Sequence, residues 1–277
     1  WATDNVITFT SYHDGWPHLY SIAPSGGKPL RLTPGEFMVE HVSLSLDGKN
    51  LLCDVNTGPD ALDKDRRHIL QVSVDKVDMN VLTPGNGNEW TALALENNQG
   101  IVYIGSTPQK APQVIFRADA VSSKSLTALL FPSEYPEKSL IEPKQVIFKS
   151  LDGLSIHAQI FDNSNGTQKK PAIIFVHGGP PRQMLLGWHY SDYYANAYAL
   201  NQYLANLGFV VLSVNYRLGI GYGYEFQHPK SAGNLGASEY LDIKAAGEWL
   251  ASQSYVDSKK IGIYGGSYGG YLTALGL

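Results

Sequence analysis

The chain has 277 residues, 43% of them hydrophobic and 17% charged, which suffices for one large globular domain or two ordinary ones. A formal net charge of −4 gives no electrostatic reason to expect nucleic acid or an anionic membrane surface as partner. No apolar run approaches the roughly 18 residues of a membrane helix, and Cys53, the single cysteine, excludes an internal disulfide and reads as a small buried hydrophobe on a strand.

The chain opens on Trp1 with no basic and apolar leader, so its natural N-terminus is expected upstream and the compartment stays open. Residues 1–131 read as all-β. Leu-Thr-Pro-Gly occurs at Leu32–Gly35 and again fifty positions on at Leu82–Gly85. Each copy follows a short alternating strand, then leads through "VSLSL" or "TALAL" and a turn into "LLCDV" or "IVYIG". Period-two alternation bounded by Gly, Pro and Asn marks half-buried antiparallel strands, and a four-strand unit recurring at 40–50 residues is the pattern of a β-propeller blade. A weaker third copy runs through "QVIFRADA" and "SLTALL". A closed propeller needs at least about four blades, so further blades are expected before Trp1. A β-sandwich with coincident turns is the alternative.

Residues 132–144 contain Pro132, Pro136 and Pro143 without a consistent period and read as a linker. From Gln145 the period changes. A hairpin turning at Asp152-Gly153 precedes "PAIIFVHGGP", a continuous apolar run expected of a strand buried on both faces. Asn165-Gly166-Thr167 matches a glycosylation sequon, but its surroundings are simply a polar turn. Next come a helix over 191–207 capped by Gly208, the buried strand "FVVLSVNY", a glycine-rich loop, a helix over 238–253 and the strand "KIGIY". This alternation predicts a mostly parallel α/β sheet over residues 145–277.

Gly265-Gly266-Ser267-Tyr268-Gly269 lies between that last strand and the helix expected after it, the setting of a nucleophile elbow. Ser267 is therefore the candidate nucleophile. The Tyr268 N–H is a candidate oxyanion donor, and the His177-Gly178-Gly179 loop after "AIIFV" is placed to supply a second. His177 itself is expected chiefly to order that loop. Tyr222, Tyr224, Trp188 and Tyr190 are expected to pack rather than bind, and Glu239 and Asp242 lie on a predicted helix where surface solvation or complementation of the helix dipole is expected to account for them. The sequence carries no HExxH, Cys–His cluster or Walker loop, so neither a metal nor a nucleotide cofactor is expected.

The segments "HGGPPRQMLLGWHYSDYY", "VLSVNYRLGIGYGYEF" and "IGIYGGSYGGYLTA" together resemble the hydrolase domain of the prolyl oligopeptidase family of serine peptidases. The resemblance is strong over 145–277 and one of organisation over the first half. It implies the N-terminal half of an α/β-hydrolase domain preceded by the last blades of a propeller, acting on peptide substrates through an acyl-enzyme on Ser267. It also implies oxyanion donors at Tyr268 and near Gly178, the latter because His177 stands where some members carry a tyrosine. The triad order Ser, acid, His places the acid and base beyond Leu277, so these 277 residues by themselves are expected to be inactive. A carboxylesterase, or a propeller-based binding protein with an inactive hydrolase half, are the alternatives.

Overall fold

The computed structural model describes residues 2–3, 5–96, 99–119, 121–163 and 168–276, so the Asn165 sequon lies outside the described residues. The chain divides into two compact units, residues 1–135 with 221–224, and residues 136–220 with 225–277.

In the first unit three antiparallel meanders follow one another. The first is β1 (Ile7–Ser11), β2 (His18–Ile22) and β3 (Leu30–Arg31). The second is β4 (Val39–Leu44), β5 (Asn50–Val55), β6 (His68–Ser73) and β7 (Met79–Val81). The third is β8 (Asn88–Ala94), β9 (Ile101–Ser106), β10 (Gln113–Arg117) and β11 (Ser123–Ser125).

One device closes all three. The Leu32 N–H donates to the Leu19 carbonyl, and the Leu19 N–H in turn donates to the Thr33 hydroxyl at 2.9 Å. Leu82, Ile69 and Thr83 repeat this at 2.8 Å, and Leu126, Val114 and Thr127 at 3.1 Å. A threonine hydroxyl thus satisfies an amide near the start of the strand it closes on, and after Thr33 and Thr83 the next residue is a proline with no N–H to continue the ladder. Gly35 and Gly85 then turn the chain at φ 145° and 152°. The repeat extends to a bulge: β4 slips register after Glu40 and β8 after Trp90, with His41 (φ 43°) and Thr91 (φ 56°) fifty positions apart in left-handed conformations. The buried Asp54 carboxylate ties both, bonding to the His41 ring and accepting the Thr91 N–H at 2.9 Å. Cys53 is fully buried on β5, as expected.

The second unit is built on a five-stranded sheet of β12 (Lys144–Lys149), β13 (Ser155–Phe161), β14 (Lys170–Val176), β15 (Val210–Asn215) and β16 (Val256–Gly265), in the order β12-β13-β15-β14-β16. β14 pairs parallel with β15 and β16, whereas β13 is antiparallel to both β12 and β15. Only β13 therefore runs against the rest. Every residue of β15 is buried, which explains its unbroken apolar reading apart from Ser213 and Asn215.

Among the described residues the α-helices that follow are α1 (Asp192–Asn206), the single turn α2 (Tyr224–Gln227), α3 (Ser238–Ser252) and α4 (Tyr268–Leu275). Gly208, at φ 99°, ends α1 as the sequence predicts. On β14, Phe175 clusters with Tyr194 of α1 while the Ile174 side chain reaches Gly247 of α3. Neighbouring strand residues point to opposite faces, so α1 and α3 cover opposite faces of the sheet. Residues 139–141 are anchored to α1: Gln202 clasps both backbone groups of Ile141, and Asn206 donates to the Ser139 carbonyl.

Candidate active site

β16 ends at Gly265 and α4 begins at Tyr268, leaving Gly266 and Ser267 to make the whole turn. Ser267 adopts φ 54° and ψ −124°, a left-handed conformation that an L-residue holds only at a cost of about 1–3 kcal/mol. It is also exposed, and its carbonyl accepts the Tyr271 N–H at 3.1 Å as the first bond of α4.

The glycines explain how the turn closes. A Cβ on Gly265 or Gly269 would run into the Val176 carbonyl at the end of β14, and one on Gly266 into the Tyr193 hydroxyl. The elbow is thus pressed directly onto the neighbouring parallel strand, which only glycine backbone permits.

The loop after β14 packs on the same turn. A Cβ on Gly178 would stand 2.6 Å from the Gly266 carbonyl and 3.1 Å from Ser267 Cβ. The loop's carbonyls are held from behind, where the Tyr216 hydroxyl donates to His177 O and the Tyr194 hydroxyl to Gly178 O, each at 2.8 Å. The imidazole of His177 is buried, stacked on Tyr216 at 4.3 Å, with Nδ1 3.2 Å from Gly178 O. Burial pushes its pKa down to about 4, so the ring is neutral. The structure therefore places His177 inside the support of the loop and brings Gly178, Ser267 and Tyr268 together.

Tyr268 is the first residue of α4, where a backbone N–H has no acceptor within the helix. Its side chain turns to α3, and the phenol donates to Glu239 Oε1 at 2.5 Å. The same oxygen accepts the Gly233 N–H at 3.0 Å. Burial first, and the bond to Glu239 second, push the phenol pKa well up.

Glu239 and Asp242 are both fully buried, which corrects the expectation of surface solvation, while Glu239 lies in the first turn of α3, where the helix dipole favours a negative charge. Asp242 accepts from the Arg217 backbone N–H at 2.8 Å, from its guanidinium at 2.6 Å and from the Ser150 hydroxyl at 2.6 Å. Arg217 continues to the exposed Asp152 at 2.6 Å and holds that carboxyl down to about 2. This ion pair joins the β12–β13 turn, the end of β15 and α3, and so fixes the frame that carries the elbow.

The other sequence candidates pack. Trp188 lies 5.0 Å from the Tyr198 ring and Tyr190 4.2 Å from that of His189. Tyr222 and Tyr224 count with the first unit, where Tyr222 donates to Asp65 at 2.5 Å and Tyr224 meets Tyr12 edge-on. Among the described residues no helix is long and apolar enough to cross a membrane.

Residues 196–277 match the model of the prolyl oligopeptidase family. The chain is 28% identical over 284 residues to a probable dipeptidyl-aminopeptidase B of Aspergillus terreus, and 27% identical over 226 residues to an acylamino-acid-releasing enzyme of Sus scrofa. These alignments take in 95% and 77% of this chain, which spans 29% of the length of each relative. Over 99% of its length the chain also superimposes, with a TM-score of 0.80 and 22% identity, on 42% of a puromycin-hydrolyzing peptidase of Mycobacterium tuberculosis. That last likeness is one of fold.

Proposed function

We propose that this chain, a relative of the prolyl oligopeptidase family, carries the nucleophile and oxyanion site of a serine peptidase. In this reading the first unit is the last blades of a β-propeller, and the second is the N-terminal half of an α/β-hydrolase domain. The observation that carries it is Ser267, exposed and strained at the junction of β16 and α4 with Gly178 packed beside it.

Attack by Ser267 Oγ on a peptide carbonyl would form a tetrahedral oxyanion. The Tyr268 N–H and a loop N–H near Gly178 would receive that charge, and collapse would expel the amine and leave an acyl-enzyme for water to hydrolyse. A serine hydroxyl needs a base to take its proton. In this proposal the chain order Ser, acid, His of the fold places the acid and the base after Leu277, and residues 1–277 alone should turn over nothing at a useful rate.

The test uses the full-length protein. A fluorophosphonate should label it, and an N-terminal dipeptide amide, an N-acyl amino acid amide and a simple ester should be compared as substrates. Loss of labelling and of peptide hydrolysis in Ser267→Ala is the expected result. Labelling retained in that variant, or ester turnover with no peptide turnover, would overturn the reading.

A further inference from the structure

We infer that Glu239 is a positioning residue that holds the Tyr268 backbone N–H in its oxyanion-binding orientation by anchoring the Tyr268 phenol. The inference rests on the reading of Ser267 as nucleophile and Tyr268 as oxyanion donor.

Three observations lead to it. First, the Glu239 carboxylate is fully buried, a placement that costs several kcal/mol unless its oxygens are satisfied. Its partners are the phenol of the residue immediately after the nucleophile and the N–H of Gly233 in the loop ahead of α3. Second, the phenol is kept protonated by its surroundings, so it remains the donor and Glu239 the acceptor. Third, the strained conformation of Ser267 persists only while its surroundings over-determine it.

On one side that constraint is steric, from the contact of Gly265 and Gly269 with the end of β14. On the other, the peptide joining Ser267 to Tyr268 is held by two bonds, from the Tyr271 N–H to the Ser267 carbonyl at 3.1 Å and from the Tyr268 phenol to Glu239, and loss of the second leaves the first turn of α4 to set its orientation alone. The described side-chain hydrogen bond of Tyr268 goes to Glu239. An oxyanion donor acts only within about 2.7–3.1 Å of the developing charge. A small rotation of that peptide therefore weakens transition-state binding and leaves ground-state binding as it was.

The experiment compares Glu239→Gln, Tyr268→Phe and the double variant in the full-length protein, with Ser267→Ala as reference. Each single change should lower kcat about tenfold or more with KM within about twofold, the signature of an interaction made only in the transition state. Affinity for a peptidyl boronic acid, which becomes tetrahedral on the serine, should fall by a similar factor. The double variant should be no worse than the more impaired single, because both changes act on one contact, Glu239→Gln by removing its charge and Tyr268→Phe by removing its donor. Should Glu239→Gln fail to fold, Tyr268→Phe and the double variant, which removes the buried charge and its partner together, decide the matter. Unchanged kcat in folded Tyr268→Phe, or a rise in KM at constant kcat, would overturn the inference. Turnover surviving in Ser267→Ala would instead sink the underlying reading, so the two failures are distinct.

Discussion

Gly178 and Ser267 lie 89 positions apart in the chain, in the turns after β14 and β16, yet a single methyl group added to Gly178 would bring it to 3.1 Å from Ser267 Cβ and 2.6 Å from the Gly266 carbonyl. The second contact is with backbone, which cannot rotate out of the way as a side chain could. Gly178→Ala must therefore push the loop away from the elbow. Removal of one oxyanion donor typically costs about 10²–10³ in kcat, and a loss in that range is expected. Thermal unfolding should shift by only a few degrees. Steady-state kinetics beside a melting curve checks both, and wild-type kcat would show that the loop N–H groups take no part.

The strain at Ser267 makes an independent prediction about stability. At φ 54° a glycine is relieved of the Cβ conflict, so Ser267→Gly should stabilise the second unit by about 1 kcal/mol, whereas Ser267→Ala should not. Denaturant unfolding of the two variants side by side measures the difference. Equal stabilities would mean that the turn is relaxed and the serine is not held under strain.

Much of this site was legible in the sequence because its parts are backbone demands. A buried strand, a turn too tight for Cβ atoms and a following helix can be met by few residue orders, and "GIYGGSYGGYL" is one of them. The third meander was harder to see because its closing turn keeps Leu126-Thr127 but replaces Pro-Gly with Ala-Leu, and yet Thr127 makes the same bond as Thr33 and Thr83. Glu239 and Asp242 were missed because charged residues on a helix usually face water. A signal was present: Glu239, Asp242, Ile243, Ala246 and Leu250 share the i, i+3, i+4, i+7 stripe of α3, and all five are buried. What they pair with, Arg217 and Tyr268, lies in other elements and follows only from the fold.

His177 gives the second unit a dependence on pH. Burial lowers its pKa to about 4, against about 6.5 in an unfolded chain, so between these values the unfolded state binds the proton and the folded state does not. Its contribution is complete above pH 6.5 and is lost as pH falls towards 4, at most about 3 kcal/mol for a shift of that size. Asp54, in the other unit, has the opposite sign: burial raises its carboxyl to about 6, so folding disfavours its ionisation as pH rises from about 4 to 6. The difference between wild type and His177→Phe isolates the histidine. That difference in unfolding free energy should shrink from pH 7 to pH 4.5, and a flat difference would mean that the ring reaches solvent.

The Arg217–Asp242 pair should behave as a buried one and Arg217–Asp152 as a surface one. Asp242 is fully buried and the Arg217 side chain only 6% exposed, whereas the Asp152 side chain is 44% exposed. Removal of one member of a buried pair strands the other charge and costs about 3–5 kcal/mol, while an exposed pair contributes about 0–1 kcal/mol. Arg217→Met should therefore be severe, because Asp242 would keep only the Ser150 hydroxyl and the backbone N–H of residue 217. Asp242→Leu should be comparably severe, since the guanidinium keeps Asp152 but loses its buried partner. Asp152→Asn should lie within about 1 kcal/mol of wild type. The combined Arg217→Met and Asp242→Leu variant buries no charge at this place and should regain most of what either single change loses. Urea unfolding of the four variants decides it. If Asp152→Asn costs as much as Asp242→Leu, the stabilising contact is the outer one, and the frame beneath the elbow is held from the β12–β13 turn rather than from α3.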